Sequence, residues 1–164
     1  FNQINLNTNY LNYLNNLDSK WVEMIATATW YLDGTAGTTL LNAHEFFISE
    51  RTSGVVTTYE AKIGLMYVSD YGYAVSREYL TYELDEYNNT ALRTYNWMFM
   101  GLTEWTIDSV ASSSTNVFRL YDGGRLTSSS TFDGFAVRPC FYLNSNVVLS
   151  SGIGTKDDPY RLSI

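Results

Sequence analysis

The sequence predicts a domain of the α+β class, with short helices first and short strands after them. Helical patterns fall mostly in the first third of the 164 residues, whereas the last third alternates β-like runs with turn signals. In addition, 45% of the residues are hydrophobic, which is enough to bury a core. We therefore expect mixed, mainly antiparallel short strands and two or three helices.

The first element is predicted to be a helix of unusual polarity. Leu11, Leu14, Leu17 and Trp21 recur at spacings of three and four residues, as on one face of a helix. The other faces are rich in Asn, a poor helix former, so packing contacts must hold the helix. We expect residues 1–22 to be a stalk or assembly helix and residues 23–164 to be the main domain. The alternative is a helix packed against its own domain.

The middle of the chain predicts two strands, one helix and a long excursion. Met24–Leu32 has the β-branched and aromatic content of a strand. Asn42 and Glu45 form a capping-box pattern that predicts a second helix. Lys62–Val68 is a short apolar run that predicts a second strand. Residues 76–96 lack a clear period, which predicts a long loop with about one helical turn.

The last third predicts β-structure. Asn116–Tyr121 alternates, with Phe118 and Leu120 on one face, and a turn at residues 122–124 follows it. The other predicted strands are Glu104–Ile107, Arg125–Thr127, Phe135–Leu143 and Tyr160–Ile164.

Charge and composition exclude several functions. Ten basic and 17 acidic residues give a net charge of −7, which disfavours nucleic acids and anionic membranes as partners. No run of 18 apolar residues could span a bilayer. One cysteine and one histidine supply neither an internal disulfide nor a zinc cluster. No Asp-rich loop has the spacing of a calcium site and no glycine loop precedes a helix to hold phosphate, so no metal or cofactor is expected. Because the chain begins at Phe1 rather than Met, we expect a fragment or a processed form.

Residues of types that often perform catalysis have structural explanations here. Cys140 lies in an apolar strand, where a buried thiol is expected, and His44 lies in the first turn of the second helix. Arg138 needs an acidic partner if it is buried, and we expect Asp70 or Glu104 to be that partner. We expect most tryptophans to pack in the core. No catalytic residue is predicted.

Five ordered blocks carry a family likeness: Lys62–Ala74, Asn96–Gly101, Glu104–Ile107, Val137–Leu143 and Gly152–Tyr160. Together they resemble a large, uncharacterised family of bacterial surface proteins, many of which carry a prepilin-like N-terminal helix. More distantly, they are similar to the C-type lectin-like fold in its formylglycine-generating-enzyme variant. The resemblance implies a C-type lectin-like domain that is extracellular, either secreted or on a bacterial surface. It also implies that Ala28–Leu32 pairs with Tyr160–Ser163.

The same resemblance implies a ligand-binding patch on the late strands and their loops. The residues it places there are Asp108, Ser109, Asn116, Arg119, Tyr121, Arg125, Phe132 and Asp133. This mixture of polar and aromatic side chains is typical of recognition surfaces. The alternative is a set of solvated turns without a ligand. The oxidase chemistry of the related fold needs a pair of cysteines, which this chain lacks.

These observations favour a non-enzymatic extracellular domain for ligand recognition or adhesion, with an unknown protein or glycan as its partner. The first alternative is a structural subunit of an extracellular filament or pilus-like assembly, self-assembled through residues 1–22. The second is an enzyme of unknown mechanism. Among the tryptophans, Trp97 is the first to test for exposure to a ligand.

Overall fold

A computed structural model describes residues 6–7, 17–32, 37, 39–52 and 57–164. The α-helices in this part of the chain are α1 (Ser19–Met24), α2 (Ala43–Thr52), α3 (Val68–Tyr73) and α4 (Thr90–Tyr95). Two 3₁₀ helices, Arg77–Tyr79 and Leu84–Asn88, lie between α3 and α4. The strands are β1 (Ala28–Tyr31), β2 (Thr58–Ala61), β3 (Gly64–Leu65), β4 (Glu104–Ser109), β5 (Asn116–Leu120), β6 (Leu126–Ser130), β7 (Pro139–Cys140), β8 (Val148–Ser151) and β9 (Arg161–Ser163). Short helices and mainly antiparallel strands thus share one chain, which confirms the α+β class, although the described residues form four α-helices where two or three helices were expected.

The strands of the described residues form small antiparallel sheets. β4, β5 and β6 make a three-stranded sheet, and the other sheets are the pairs β1–β2, β3–β7 and β8–β9. A single parallel bridge joins Glu104 to Ala136, and an antiparallel bridge joins Ile25 to Leu143. The chain after β6 therefore returns across the molecule and contacts both β3 and β4.

The predicted pairing of the first and last strands is wrong. β1 pairs with β2, and β9 pairs with β8, a strand that the sequence pattern did not predict. The turn between β8 and β9 uses Gly152 and Gly154, with φ of +92° and +79°. Since closing a short loop costs little entropy, β9 finds its partner nearby in the chain.

Two other predicted strands are shorter than expected, because residues at one end of each belong to a helix. Met24 belongs to α1, so the first strand begins only at Ala28. In the Lys62–Val68 run, only Gly64 and Leu65 pair as a strand, since Val68 begins α3.

The predictions for one late strand and for the long loop are also wrong. Of Phe135–Leu143, only Pro139 and Cys140 form a strand, while Ala136 and Leu143 each make a single isolated bridge. Residues 76–96 contain two 3₁₀ helices and α4 rather than one helical turn.

Helix α2 confirms the capping-box prediction. The Asn42 side chain accepts hydrogen bonds from the backbone N–H groups of His44 and Glu45, at 3.0 and 3.1 Å. The Glu45 carboxylate accepts one from the backbone N–H of Asn42 at 2.9 Å. These bonds satisfy donors that the first turn of a helix leaves unpaired.

Two apolar clusters form the core. The larger packs α2 and α3 against the inner face of β5 and β6, where Phe46 meets Phe118 edge to face at 5.5 Å between ring centroids. Phe118 and Leu120 both point inward, which confirms the predicted alternation. The smaller cluster surrounds Trp30 and includes Leu6, which is fully buried.

The N-terminal segment contacts the domain at its described residues. Besides the buried Leu6, the Asn7 side chain donates to the carbonyl of Ile63 at 2.9 Å and accepts from its N–H at 3.2 Å. Leu11 and Leu14 of the predicted first helix lie outside the described residues. α1 crosses the predicted boundary after residue 22. None of the described helices has the length and hydropathy that a bilayer span requires.

Candidate functional site

The outer face of the β4–β5–β6 sheet brings several predicted site residues together. Because Phe118 and Leu120 point into the core, Val117 and Arg119 point outward and are half-buried. Arg119 lies opposite Trp105 on β4 and Thr127 on β6. We call this side of the sheet the outer sheet face.

Arg119 is held in place on this face by three contacts. Its Nε donates to the Ser129 hydroxyl at 2.6 Å. Its guanidinium carbon lies 4.6 Å from the ring centroid of Phe135 and 5.7 Å from that of Tyr121. Cations at such distances from aromatic rings are attracted to them, so the arginine is ordered before any ligand arrives.

Further aromatic and cation–π contacts lie on both sides of Arg119. Trp105 packs edge to face on Phe135, with 4.9 Å between ring centroids. At the other end, the Arg125 guanidinium carbon lies 5.7 Å from the Tyr121 centroid. Trp105, Phe135, Arg119, Tyr121 and Arg125 thus form a continuous series, which we call the aromatic–arginine row.

Four more predicted residues lie toward the other end of the sheet, away from Tyr121 and Arg125. Asn116 begins β5 opposite Ser130, and Ser109 ends β4 with its hydroxyl 3.5 Å from the carbonyl oxygen of Leu32. Phe132 and Asp133 are exposed in the turn after β6, and the Phe132 side chain is 89% exposed. The predicted patch therefore extends along the whole sheet, about 16 Å for the five residues of β5.

The prediction that Asp108 belongs to this surface is corrected by the structure. Asp108 is 1% exposed, and its Oδ2 accepts a hydrogen bond from the Val68 N–H at 2.7 Å. It therefore points inward, away from Trp105 and Arg119. Burial raises the pKa of Asp108 well above its usual range, and the nearby charge of Glu50 raises it further.

Glu50 is a second buried carboxylate, which the sequence analysis missed. It accepts hydrogen bonds from the Ser69 N–H at 2.8 Å and the Ser69 hydroxyl at 2.5 Å. Arg51 donates to it at 2.9 Å. Burial also raises the pKa of Glu50. Together with Asp108, it fixes the start of α3 against α2 and β4, so both acids have a structural role.

The side chains that were considered for catalysis have the structural surroundings that the sequence suggested. Arg138 pairs with Glu104, one of the two acids expected for it. Cys140 is half-buried, and burial raises the pKa of its thiol to about 11, which suppresses the nucleophilic thiolate. His44 is exposed, with its Nδ1 3.3 Å from the Tyr73 hydroxyl. Within the described ranges, no group of three His, Cys, Asp or Glu side chains could hold a metal ion.

Trp105 and Phe135 complete the row but were not predicted as site residues. Trp105 was assigned to the core because it lies in a predicted strand, and its half-buried side chain does pack against the smaller cluster. No local signal would have found it, because the alternation along β4 places the apolar Trp105 and Ile107 on one face and favours burial, and only the register of β4 against β5 sets Trp105 opposite Arg119. Trp97 is 81% exposed, whereas Trp30 is buried.

Comparisons with known proteins give no match: no family model, curated protein or solved structure is similar to this chain. A proposal about function must therefore rest on the geometry of the described residues.

Proposed function

We propose that this chain is a non-enzymatic recognition domain, extracellular and displayed on a bacterial surface or secreted. Its outer sheet face holds a protein or glycan ligand. The observation that carries this proposal is the fixed position of Arg119 between Phe135 and Tyr121 on a half-exposed sheet face. Tyrosine, tryptophan and arginine are the residues that contribute most to binding at protein interfaces.

Arg119 supplies the polar contact of this surface. Its Nε is used by Ser129, and its other two nitrogen atoms make no hydrogen bond to the described residues. They can donate to carboxylate, sulfate or hydroxyl oxygen atoms of a ligand. Since the side chain is already ordered, binding costs little conformational entropy. Phe132 and Asp133 extend the contact area at the far end of the sheet.

We also propose that the fold is a variant of the C-type lectin-like fold. Support comes from the order of the late elements, in which an antiparallel β4–β5–β6 sheet precedes the returning segment of Arg138 and β7. The pairing of terminal strands is not part of this proposal, because β9 pairs with β8.

The test is a binding screen of the purified chain against glycan and protein arrays. We expect at least one ligand whose binding falls about tenfold or more in Arg119→Ala and Tyr121→Ala, a loss typical of a hot spot. Arg161→Ala is the matched control, because Arg161 is an exposed arginine on β9. A ligand that binds both arginine variants equally, or arrays that stay blank, would contradict the proposal.

One observation favours the alternative of a filament subunit. The β8–β9 hairpin exposes large apolar side chains, among them Leu149 at 56%, Ile153 at 70% and Tyr160 at 61%. Both strands have an edge that no described residue pairs with. Exposed apolar edges are templates for pairing with another chain, and a second copy is the occupant that a filament requires.

Sedimentation velocity over a range of concentrations tests this alternative. Self-assembly predicts that Leu149→Lys and Ile153→Lys shift the chain to monomers. Phe132→Lys, at a still more exposed position in the turn after β6, should leave the assembly unchanged. A wild-type chain that stays monomeric at every concentration excludes the assembly.

A further inference from the structure

A cleft separate from the outer sheet face lies beside α3. It has a volume of about 290 Å³. Its lining includes Asp70 and Tyr73 of α3, Trp97 and Met98 after α4, and Cys140 of β7. None of these residues belongs to the aromatic–arginine row. We call this cavity the Trp97 cleft.

Most of the lining is apolar. Met66 and Ala74 are buried and form part of the wall, while Met98 and Cys140 are half-buried. Trp97 is 81% exposed, so its ring is available to a ligand. A large indole that keeps most of its surface in water is unusual unless it contacts a partner.

Asp70 is the charged group of this cleft. Its Oδ2 accepts a hydrogen bond from the Tyr67 N–H at 3.0 Å. Its Oδ1 makes no hydrogen bond to the described residues, and none of their ion pairs includes Asp70. The nearby Arg51 is hydrogen-bonded to Glu50 instead. Asp70 is an exposed residue that lines the cleft; burial raises the pKa of its carboxylate, and the hydrogen bond from Tyr67 and the charge of Arg51 lower it.

We propose that the Trp97 cleft binds an alkylammonium group. The cation would pair with the Asp70 carboxylate and contact the ring of Trp97, while its apolar stem packs on the two methionines. Organic cations are recognised by this combination of an aromatic face and a negative charge. The net charge of −7 raises the concentration of cations near the surface.

The lining disfavours a sugar in the same cleft. A saccharide needs several hydrogen-bonding groups around it, and besides the Asp70 carboxylate the polar groups here are the Tyr73 hydroxyl, the Trp97 indole N–H and the weakly polar Cys140 thiol. That hydroxyl also lies 3.3 Å from His44 Nδ1. A single charge within an apolar wall fits an ammonium ion on an apolar stem better than it fits a saccharide.

The expected source is a lysine side chain of a partner polypeptide, because a primary ammonium donates hydrogen bonds to the Asp70 carboxylate and its alkyl stem contacts the two methionines, whereas a choline-type headgroup has no N–H to donate. The experiment titrates the chain with Nα-acetyl-lysine amide and with choline, and follows the indole N–H signal of Trp97 by NMR. The signal is assigned with Trp97→Phe. Acetyl-norleucine amide and 3,3-dimethylbutanol are the neutral counterparts of the two probes. Tighter binding of the lysine derivative supports a partner polypeptide, and tighter binding of choline would overturn this assignment.

We expect a cation to bind about tenfold or more tightly than its neutral counterpart, and Asp70→Asn to remove this difference. Asn retains an oxygen that accepts from Tyr67 N–H, so the start of α3 is preserved. Asp157→Asn is the matched control, because Asp157 is exposed in the turn between β8 and β9 and lines neither the cleft nor the outer sheet face. Equal binding of neutral and cationic probes, no binding by either cation, or unchanged binding in Asp70→Asn would each overturn the proposal. None of these outcomes bears on the outer sheet face.

Discussion

Arg138 holds the buried carboxylate of Glu104 through two hydrogen bonds, one from Nε at 2.8 Å and one from Nη2. Glu104 begins β4 and is 3% exposed, whereas Arg138 lies just before β7. The pair therefore connects the returning chain to the central sheet, next to the bridge between Glu104 and Ala136. Such a two-point pair also fixes the direction of the arginine.

Removing the arginine should destabilise the fold strongly. We expect Arg138→Leu to lower the free energy of unfolding by about 3–5 kcal/mol, because the buried Glu104 would lose its partner. Arg161→Leu is the control, since Arg161 pairs with Asp158 at the surface and such pairs contribute less than about 1 kcal/mol. Urea denaturation followed by circular dichroism measures both. Equal effects of the two substitutions would contradict the structural role of Arg138.

The buried carboxylates predict an unusual dependence of stability on pH. Burial raises the pKa of Asp108 above its unfolded value of 3.8, and Glu50 and Asp70 raise it further while Arg51 lowers it. The folded state therefore binds more protons than the unfolded state over the window between the two pKa values. Stability is greatest at the acidic end of this window and falls as pH rises through the folded pKa.

Asp108→Asn tests this dependence. Asn keeps an acceptor for the Val68 N–H but carries no charge. The melting temperature of Asp108→Asn should therefore change less between slightly acidic and neutral pH than the melting temperature of the wild type. Asp122→Asn, at an exposed turn, should retain the wild-type dependence. If the melting temperatures of Asp108→Asn and the wild type depend on pH in the same way, Asp108 is not the cause of the pH dependence.

Cys140 should react slowly while the chain is folded. Burial raises the pKa of its thiol from 9.0 to about 11, so the thiolate is about 100-fold scarcer at neutral pH than in an exposed cysteine. We expect alkylation by iodoacetamide to be at least that much slower in the native chain than in urea. Mass spectrometry is unambiguous because the chain has one cysteine. Similar rates in both states would show that the thiol is accessible and ionises normally.

Gly64 should tolerate no side chain. A Cβ at this buried position of β3 would overlap the ring of Trp30, which is fixed by a 3.0 Å hydrogen bond from its Nε1 to the Ala61 carbonyl. We expect Gly64→Ala to cost about 1–3 kcal/mol or more of stability. Gly134→Ala has open space around it and should be close to neutral. Thermal melting compares the two variants, and an unaffected Gly64→Ala would contradict the packing at Trp30.

The sequence by itself determined the features that depend on near neighbours. Asn42 and Glu45 are three residues apart, and their side chains cap the backbone beside them, so the start of α2 was readable. The alternation of Phe118 and Leu120 determined the inner face of β5, and with it the outward direction of Arg119. Arg138 required an acid because a buried unpaired charge is unfavourable wherever it lies.

The tertiary structure alone decided which distant segments meet. β9 pairs with β8 rather than with β1, and Asp108 turns inward to the start of α3, because strand pairing and burial depend on the partners that the whole fold supplies. Trp105 and Phe135 join Arg119 only through the register of β4 and the return of the chain. Local periodicity contains no information about such contacts, since many registers satisfy the same alternation.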